Sequence, residues 1–120
     1  MTRRETGTLG EKIAGEFLRK NGYKILATNY RCPEGEIDII AEQPETLVFI
    51  EVRTKRSWRF GSPEESITQI KKERLKTLAE RYGQEHEGLP PNWRIDVVAI
   101  EMGQGDRVKR IELIENAIEG

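Results

Sequence analysis

Five short runs of β-branched and other apolar residues, separated by turn residues, predict five strands. The runs cover residues 23–28, 36–41, 47–53, 94–100 and 108–114. Apolar residues at helical spacing predict one helix over about 8–21 and another over about 62–82. The order is therefore αβββαββ, and the helix between the third and fourth strands makes that strand pair parallel. We predict an α/β fold in which helices flank both faces of a mixed sheet.

Turn and capping residues set the predicted ends of both helices. Gly22 lies where the first helix needs a left-handed C-terminal cap. Ser62 caps the second helix, Pro63 suits its first position, and Glu65 completes a capping box with Ser62. Gly83 marks the predicted end of the second helix.

Composition limits the class of protein. The 120 residues are read as one domain, 1–120, without repeats or long linkers. The 20 Lys+Arg against 21 Asp+Glu give a net charge of −1, which excludes a histone-like basic binder. No run approaches the ~18 apolar residues of a membrane span. The first residues lack the apolar segment of a signal peptide, so we expect a cytoplasmic protein with no membrane partner.

The single cysteine, Cys32, and the single histidine, His86, exclude an internal disulfide and a zinc site of the usual Cys/His kind. Any bound metal is then expected to be a hard cation held by carboxylates. Positive charge is nevertheless concentrated locally, because residues 53–76 contain eight basic and three acidic side chains, a net +5. Such a segment indicates an anion-binding face, and an ordinary solvated helix face is the alternative.

Carboxylates occupy predicted strand positions in a covered sheet, where apolar residues are usual. Alternation places on one face of the second strand Glu36, Asp38 and Ile40, and on the other Ile37, Ile39 and Ala41. One face of the third strand likewise carries Glu51, Arg53 and Lys55, and the other Ile50, Val52 and Thr54. Buried charges are paired, solvated in a cleft or bound to a metal. Ordinary salt bridges of the two carboxylates with Arg53 and Lys55 are the alternative to a functional site.

Each predicted helix also places one charged residue on its apolar side. Glu11 lies in line with Ala14 and Leu18 on the first helix, although it also fits a capping box begun by Thr8. Lys71 lies on the apolar side of the second helix, so its ammonium is expected to point at the sheet or its rim. The alternative is that only the aliphatic stem of this lysine is buried there.

Carboxylates converging from a helix and two neighbouring strands, with a cation beside them, suit phosphodiester hydrolysis. The carboxylates are expected to hold Mg²⁺ or Mn²⁺, which lowers the pKa of a bound water and neutralises charge on the phosphate. The cationic side chain then stabilises the transition state. A carboxylate pair for glycoside cleavage would leave the basic segment unexplained.

These residues resemble a known nuclease signature. Asp38, twelve intervening residues and Glu51-Val52-Arg53 resemble the PD-(D/E)xK motif of restriction-endonuclease-like nucleases. From Gly7 to about Ile100 the chain resembles the bacterial YraN family, which is similar to Holliday-junction resolvases. The matching segments are Gly10-Glu11, Gly22-Tyr23, Asn29-Tyr30-Arg31, Gly35-Glu36-Ile37-Asp38, Phe49-Ile50-Glu51-Val52, Phe60-Gly61-Ser62-Pro63, Lys71 and Arg94-Ile95-Asp96.

The resemblance implies a restriction-endonuclease-like fold with a divalent cation bound by Glu11, Asp38 and Glu51. Gly7 and Glu11 match the Gly-x-x-x-Glu of the resolvases, whose glutamate joins the metal site. Resolvases that act on two strands commonly need a dimer, so the resemblance is compatible with a homodimer.

One residue departs from the family pattern. The pattern calls for lysine where this chain has Arg53. Arginine keeps the positive charge and can bind a phosphate, but it does not exchange a proton at accessible pH. Lys55, on the same face, and Lys71 are the other candidates for the lysine's task, and Arg53 is our first choice.

Basic and aromatic residues alternate between the third strand and the second helix. Arg56, Trp58 and Arg59 suit contact with a nucleic-acid backbone and stacking on an unpaired base, and Lys71 is expected to join them. The alternative is that the aromatic residues close the core over the end of the sheet. Asp96 is interpreted as structural and paired with an arginine.

Three functions therefore remain open. The first is a metal-dependent DNA endonuclease selective for branched DNA, with Asp38, Glu51, Arg53 and Lys55 as catalytic residues. The second is a nucleic-acid-binding module of the same fold that has lost turnover. The third is a protein–protein adaptor whose charges only form its surface.

Overall fold

The computed structural model describes residues 2–56 and 61–118. Its helices are α1 (Arg3–Lys20) and α2 (Gln69–Glu85). Its strands are β1 (Lys24–Cys32), β2 (Gly35–Gln43), β3 (Thr46–Lys55), β4 (Asn92–Met102) and β5 (Val108–Ile118). Short 3₁₀ turns at Glu64–Ser66 and Gln104–Asp106 precede α2 and β5.

The five strands form one mixed sheet in the order β1-β2-β3-β4-β5. Only the β3–β4 pair is parallel, and α2 lies in the connection between these strands. The other neighbouring pairs are antiparallel. The predicted α/β class, element order and parallel pair are confirmed.

The sheet separates two apolar clusters, each covered by a helix. With α1 the buried residues are Ala14, Leu18, Tyr23, Ile39, Ala41, Val48, Ile50, Val98, Ile100 and Met102. With α2 they are Ile37, Ile40, Leu47, Phe49, Leu75, Leu78, Ala79, Tyr82, Ile95 and Ile118. Removing these side chains from water is the main favourable term in folding. Neither α1 nor α2, within the described ranges, is long and apolar enough to cross a bilayer.

α1 begins five residues before the predicted start. Thr2 caps it by accepting a hydrogen bond from the Glu5 backbone N–H at 3.1 Å, and the Glu5 side chain accepts from the Thr2 N–H at 3.0 Å. Thr8 lies inside the helix, so the alternative in which Thr8 and Glu11 form a capping box is wrong. The predicted C-terminal cap is confirmed, because Gly22 has a φ of +87°.

The start of the second helix also differs from the prediction. The hydrogen bonds expected between Ser62 and Glu65 are present, but they close only the 3₁₀ turn. Ile67 then turns to extended geometry and is buried. Thr68 starts α2 by accepting from the Lys71 N–H at 3.1 Å. Gly83 does not end the helix, since the last turn tolerates a glycine at modest cost.

Candidate active site

Asp38 lies where β2 stops pairing with β3. The ladder between these strands ends with Ile39 opposite Ile50. Beyond that point, Asp38 Oδ2 accepts a hydrogen bond from the backbone N–H of Val52 at 2.8 Å. The carboxylate therefore satisfies a main-chain donor of β3 that β2 has ceased to pair, and this bond holds the side chain across the end of β3.

The predicted face assignment for β2 is wrong. Ile37 and Ile40 both pack with α2, whereas Ile39 and Ala41 pack with α1, so alternation is interrupted between Ile37 and Ile39. Opposite this point on β1, Asn29 has a left-handed φ of +53°. A strict two-residue period does not continue through such a backbone irregularity.

Glu51 is almost fully buried on the α2 side of β3, with 3% of its surface exposed. Its Oε2 atom lies 3.0 Å from Arg53 Nη2 and 3.8 Å from Lys71 Nζ. Its Oε1 atom is buried and has no hydrogen-bond partner among the described residues. One oxygen thus meets two cations, while the other is left as an unsatisfied acceptor.

The pKa of Glu51 is raised to about 8. Burial is the largest cause, and the negative charge of Asp38 is the second. The carboxyl groups of Glu51 and Asp38 are close enough to share a proton, which raises the pKa further. Lys71 and Arg53 act in the opposite direction, but burial and the Asp38 charge outweigh them.

The cations beside Glu51 come from β3 and α2. Arg53 and Lys71 have side chains 31% and 26% exposed, so each is reachable from solvent. Lys55 lies two residues further along β3, where its neighbour on β4 is Glu101. Within residues 2–56 and 61–118, Lys55 forms no ion pair with Glu51. The geometry therefore brings Arg53 and Lys71 to the site and leaves Lys55 at its border.

Glu11 reaches the site from α1. It is half-buried, and its pKa is raised first by burial and then by the charges of Asp38 and Glu36. With its nitrogen facing the carboxylates, the Asn29 amide donates to Glu36 Oε1 at 2.6 Å and to Glu11 Oε2 at 3.2 Å. A cleft of about 340 Å³ opens here and is lined by Glu11, Asn29 and Asp38.

Sequence reasoning missed the roles of Asn29 and Glu36. Alternation places Glu36 on the same face of the second strand as Asp38, and it does not link Glu36 to α1. The only available signal was the occurrence of Asn29 and Glu36 in segments that resemble the YraN family.

A divalent cation fits part of this donor set. Two neighbouring carboxylates suit Mg²⁺, which is commonly bound by one or two carboxylates and keeps several waters. The Oε1 atom of Glu51 has no hydrogen-bond partner among the described residues and is available as a ligand. Within the described ranges, no three acidic, histidine or cysteine side chains are gathered to hold one ion. Asp38 and Glu51 therefore fit such a cation, whereas Glu11 as a third ligand stays a prediction.

The residues predicted to bind nucleic acid do not lie together in the described part of the chain. Arg56 turns to the α1 side, donating to Thr6 Oγ1 at 3.0 Å and forming an ion pair with Asp106 at 2.6 Å. Lys71 Nζ lies 3.8 Å from Glu51 Oε2, and the contact of this lysine with nucleic acid stays a prediction. Trp58 and Arg59 lie outside the described residues.

Asp96 is structural, as predicted. It is fully buried and accepts hydrogen bonds from Arg94 Nε at 3.0 and 3.2 Å and from the Asn116 N–H at 2.9 Å. His86 stacks on Tyr82 with ring centroids 3.8 Å apart, away from the carboxylates.

Comparison with known proteins identifies relatives across nearly the whole chain. A family model described as "Uncharacterised protein family UPF0102" matches residues 10–100. A UPF0102 protein of Caldicellulosiruptor saccharolyticus is 47% identical over 117 residues, covering 98% of this chain and 99% of the relative. One from Dehalococcoides mccartyi is 50% identical over 116 residues, covering 97% and 94%. One from Moorella thermoacetica is 47% identical over 117 residues, covering 98% of each.

Proposed function

Since the chain belongs to the uncharacterised protein family UPF0102, we propose its function from the site: a metal-dependent endonuclease that hydrolyses phosphodiester bonds in DNA, with branched or junction DNA as the substrate class. This membership agrees with the resemblance to the YraN family. What we propose beyond this membership is the nuclease activity, the divalent cation and the DNA substrate.

The pairing of Asp38 with the buried Glu51 carries this proposal. Two carboxylates in contact at the end of a sheet repel each other unless a proton or a cation lies between them. Their position raises the pKa of Glu51 to about 8, and Glu51 Oε1 has no partner among the described residues. A purely structural salt bridge would instead satisfy both carboxylate oxygens. The pKa of Glu11 is raised as well, and Glu11 lines a cleft together with Asp38. Perturbed carboxylates beside a cleft are typical of functional sites.

The chain's own residues have distinct tasks in the proposed reaction. Asp38 is oriented by the hydrogen bond from the Val52 N–H, which leaves its other oxygen, Oδ1, to bind a ligand. Arg53 and Lys71 lie beside Glu51 and are partly exposed, so they can stabilise negative charge on an incoming phosphate. A divalent cation bound by Asp38 and Glu51 supplies charge neutralisation and a more acidic water.

Incubation of labelled linear duplex and four-way-junction DNA with Mg²⁺ or Mn²⁺ tests the proposal. We expect the wild-type protein to nick the DNA. The cleavage rate should fall by about a hundredfold or more in Asp38→Ala and in Glu51→Gln. Glu87→Ala is the matched control, because this carboxylate is exposed in the loop after α2. Cleavage that persists undiminished in Asp38→Ala would overturn the site. Crystals soaked with Mn²⁺ would show directly whether Asp38, Glu51 and Glu11 bind one ion.

The second candidate is a nucleic-acid-binding module without turnover. It is favoured by Arg53, which stands where the family motif has lysine and whose guanidinium already contacts Glu51 at 3.0 Å. An arginine held in this way stabilises charge but cannot relay a proton. Salt-sensitive binding by the wild-type protein without cleavage, together with cleavage gained by Arg53→Lys, would support this candidate over an active nuclease.

A further inference from the structure

A second concave surface lies on the α1 side of the sheet, at the turn between β4 and β5. It encloses about 870 Å³ and is lined by Arg56, Met102, Gly103, Gln104, Gly105, Arg107 and Lys109. We call it the hairpin groove. Residues 103–110 contain three basic side chains and one acidic side chain, and the basic segment identified from the sequence, residues 53–76, does not include them.

The hairpin groove is joined to the end of β3 by a defined contact. Arg56 forms an ion pair with Asp106 at 2.6 Å and donates to Thr6 of α1 at 3.0 Å. The turn itself is closed by a hydrogen bond from the Gly103 N–H to the Arg107 carbonyl at 2.6 Å. These bonds fix the hairpin against the strand that carries Glu51.

Lys109 lines the groove, and its stem packs against the turn. Its stem crosses Gly103, where an added Cβ would lie only 3.0 Å from Lys109 Cγ and 3.1 Å from Cδ. Glycine at this position therefore leaves room for the lysine stem to pack against the turn. Arg107 and Lys109 are exposed, and within the described ranges neither forms an ion pair. Because Asp106 is already paired with Arg56, the uncompensated charge of the hairpin is positive.

The groove lies within reach of a ligand bound at the site. Arg56 follows Arg53 by three residues of extended chain, about 10 Å. That distance corresponds to roughly three nucleotide steps along one strand of a duplex. Glu51 lies on the α2 side of the sheet and the hairpin groove on the α1 side, but Asp38 lines a cleft with Glu11 of α1. A nucleic-acid backbone that reaches Asp38 from the α1 side and continues past the end of β3 would therefore meet the hairpin groove.

We propose that the hairpin groove binds the phosphate backbone of DNA flanking the reacting phosphate, with Arg107 and Lys109 as the contacting residues. This inference rests on the proposed function and adds to it a backbone-binding surface outside the catalytic cluster. Phosphate contacts of this kind fix the register of the duplex without reading its sequence.

Binding of fluorescein-labelled duplex and four-way-junction DNA, measured in EDTA so that cleavage is prevented, tests this inference. The variant is Arg107→Gln/Lys109→Gln. The control removes the same charge from the last residue of α1 and the first residue of β1, Lys20→Gln/Lys24→Gln. We expect about tenfold weaker binding by the hairpin variant at low salt, and a slope of log K against log salt reduced by about 1.8 for two lost phosphate contacts. The DNA affinity of the control variant should stay within about twofold of that of the wild type.

A protection experiment on the wild-type protein makes the test independent of variant folding. Bound DNA should protect Lys109 from acetic anhydride and leave Lys20 reactive. Wild-type affinity and slope in the hairpin variant would overturn the inference while leaving the nuclease proposal intact. Absence of any DNA binding by the wild type would overturn both proposals.

Discussion

At the scale of single residues, Glu51 departs most from ordinary behaviour. Its pKa of about 8 lies well above the ordinary 4.5 of a glutamate, because it is buried beside Asp38. Between these two values the folded protein binds a proton that the unfolded chain does not, so stability falls as pH rises. The stabilisation from the protonated group is fully present below about pH 4.5 and is lost as pH passes through about 8.

The Glu51→Gln substitution should remove this pH dependence. Without divalent cations we expect it to be nearly neutral at about pH 5 and stabilising at about pH 9, where it removes the repulsion with Asp38. The difference in unfolding free energy between the variant and the wild type should change by at most about 1.4 kcal/mol per pH unit. Thermal melts of both proteins from pH 5 to 9 in about 1 mM EDTA measure it. A large loss of melting temperature at high pH would instead mean that the ion pairs of Glu51 with Arg53 and Lys71 are structural.

At the scale of elements, the approach of α1 to β3 sets the position of Glu11. Gly10 lies directly against Thr54, so that an added Cβ would overlap Thr54 Oγ1 and lie 3.0 Å from its Cβ. The helix can come this close only because position 10 lacks a side chain. Any displacement of α1 here also displaces the next residue, Glu11.

The Gly10→Ala substitution should therefore destabilise the protein by about 1–3 kcal/mol through overpacking. Gly7→Ala in the same helix is the control, since nothing lies within 4 Å of its added Cβ, and it should be neutral or stabilising by up to about 1 kcal/mol. Combining Gly10→Ala with Thr54→Ala should recover part of the loss. Urea denaturation of these three variants and the wild type measures the effects, and equal costs at Gly7 and Gly10 would exclude the close contact.

At the scale of the whole molecule, one buried network joins four parts of the sheet. Asp96 on β4 accepts from Arg94 and from the Asn116 N–H of β5. Arg94 Nη2 also donates to Tyr23 Oη at 2.9 Å and to Gln43 Oε1 at 3.3 Å. The network thus connects the start of β1 with β2, β4 and β5 around the ion pair of Arg94 with Asp96.

The Asp96→Ala substitution should cost about 2–4 kcal/mol, because it leaves Arg94 and the Asn116 N–H without their buried partner. Glu115→Ala is the matched control: Glu115 approaches the same arginine at 3.9 Å but has a side chain 63% exposed. We expect that change to cost less than about 1 kcal/mol. Urea denaturation measures both, and similar costs would show that the burial of Asp96 does not matter.

Part of the site was predictable because β3 is a regular strand. Alternation correctly placed Glu51 and Arg53 on one face. Helical spacing predicted that Lys71 points at the sheet or its rim, where the structure shows it beside Glu51. The same rule failed on β2, where the left-handed Asn29 and the end of the β2–β3 ladder interrupt the period. Helix ends were also misjudged, because several residues compete for the capping role and tertiary burial of Ile67 selects among them.

The amino-acid sequence by itself determined the order of helices and strands, the parallel pair and the chemical types gathered for the site, because these depend on local periodicity and on which residues are present. Tertiary structure alone decided that Asp38 is held by Val52, that Asn29 joins Glu36 to Glu11, and that Arg56 fixes a basic hairpin beside the end of β3. These contacts link residues far apart in the chain through single hydrogen bonds and ion pairs. Their formation depends on where strands stop pairing and where the backbone turns, which no local period encodes.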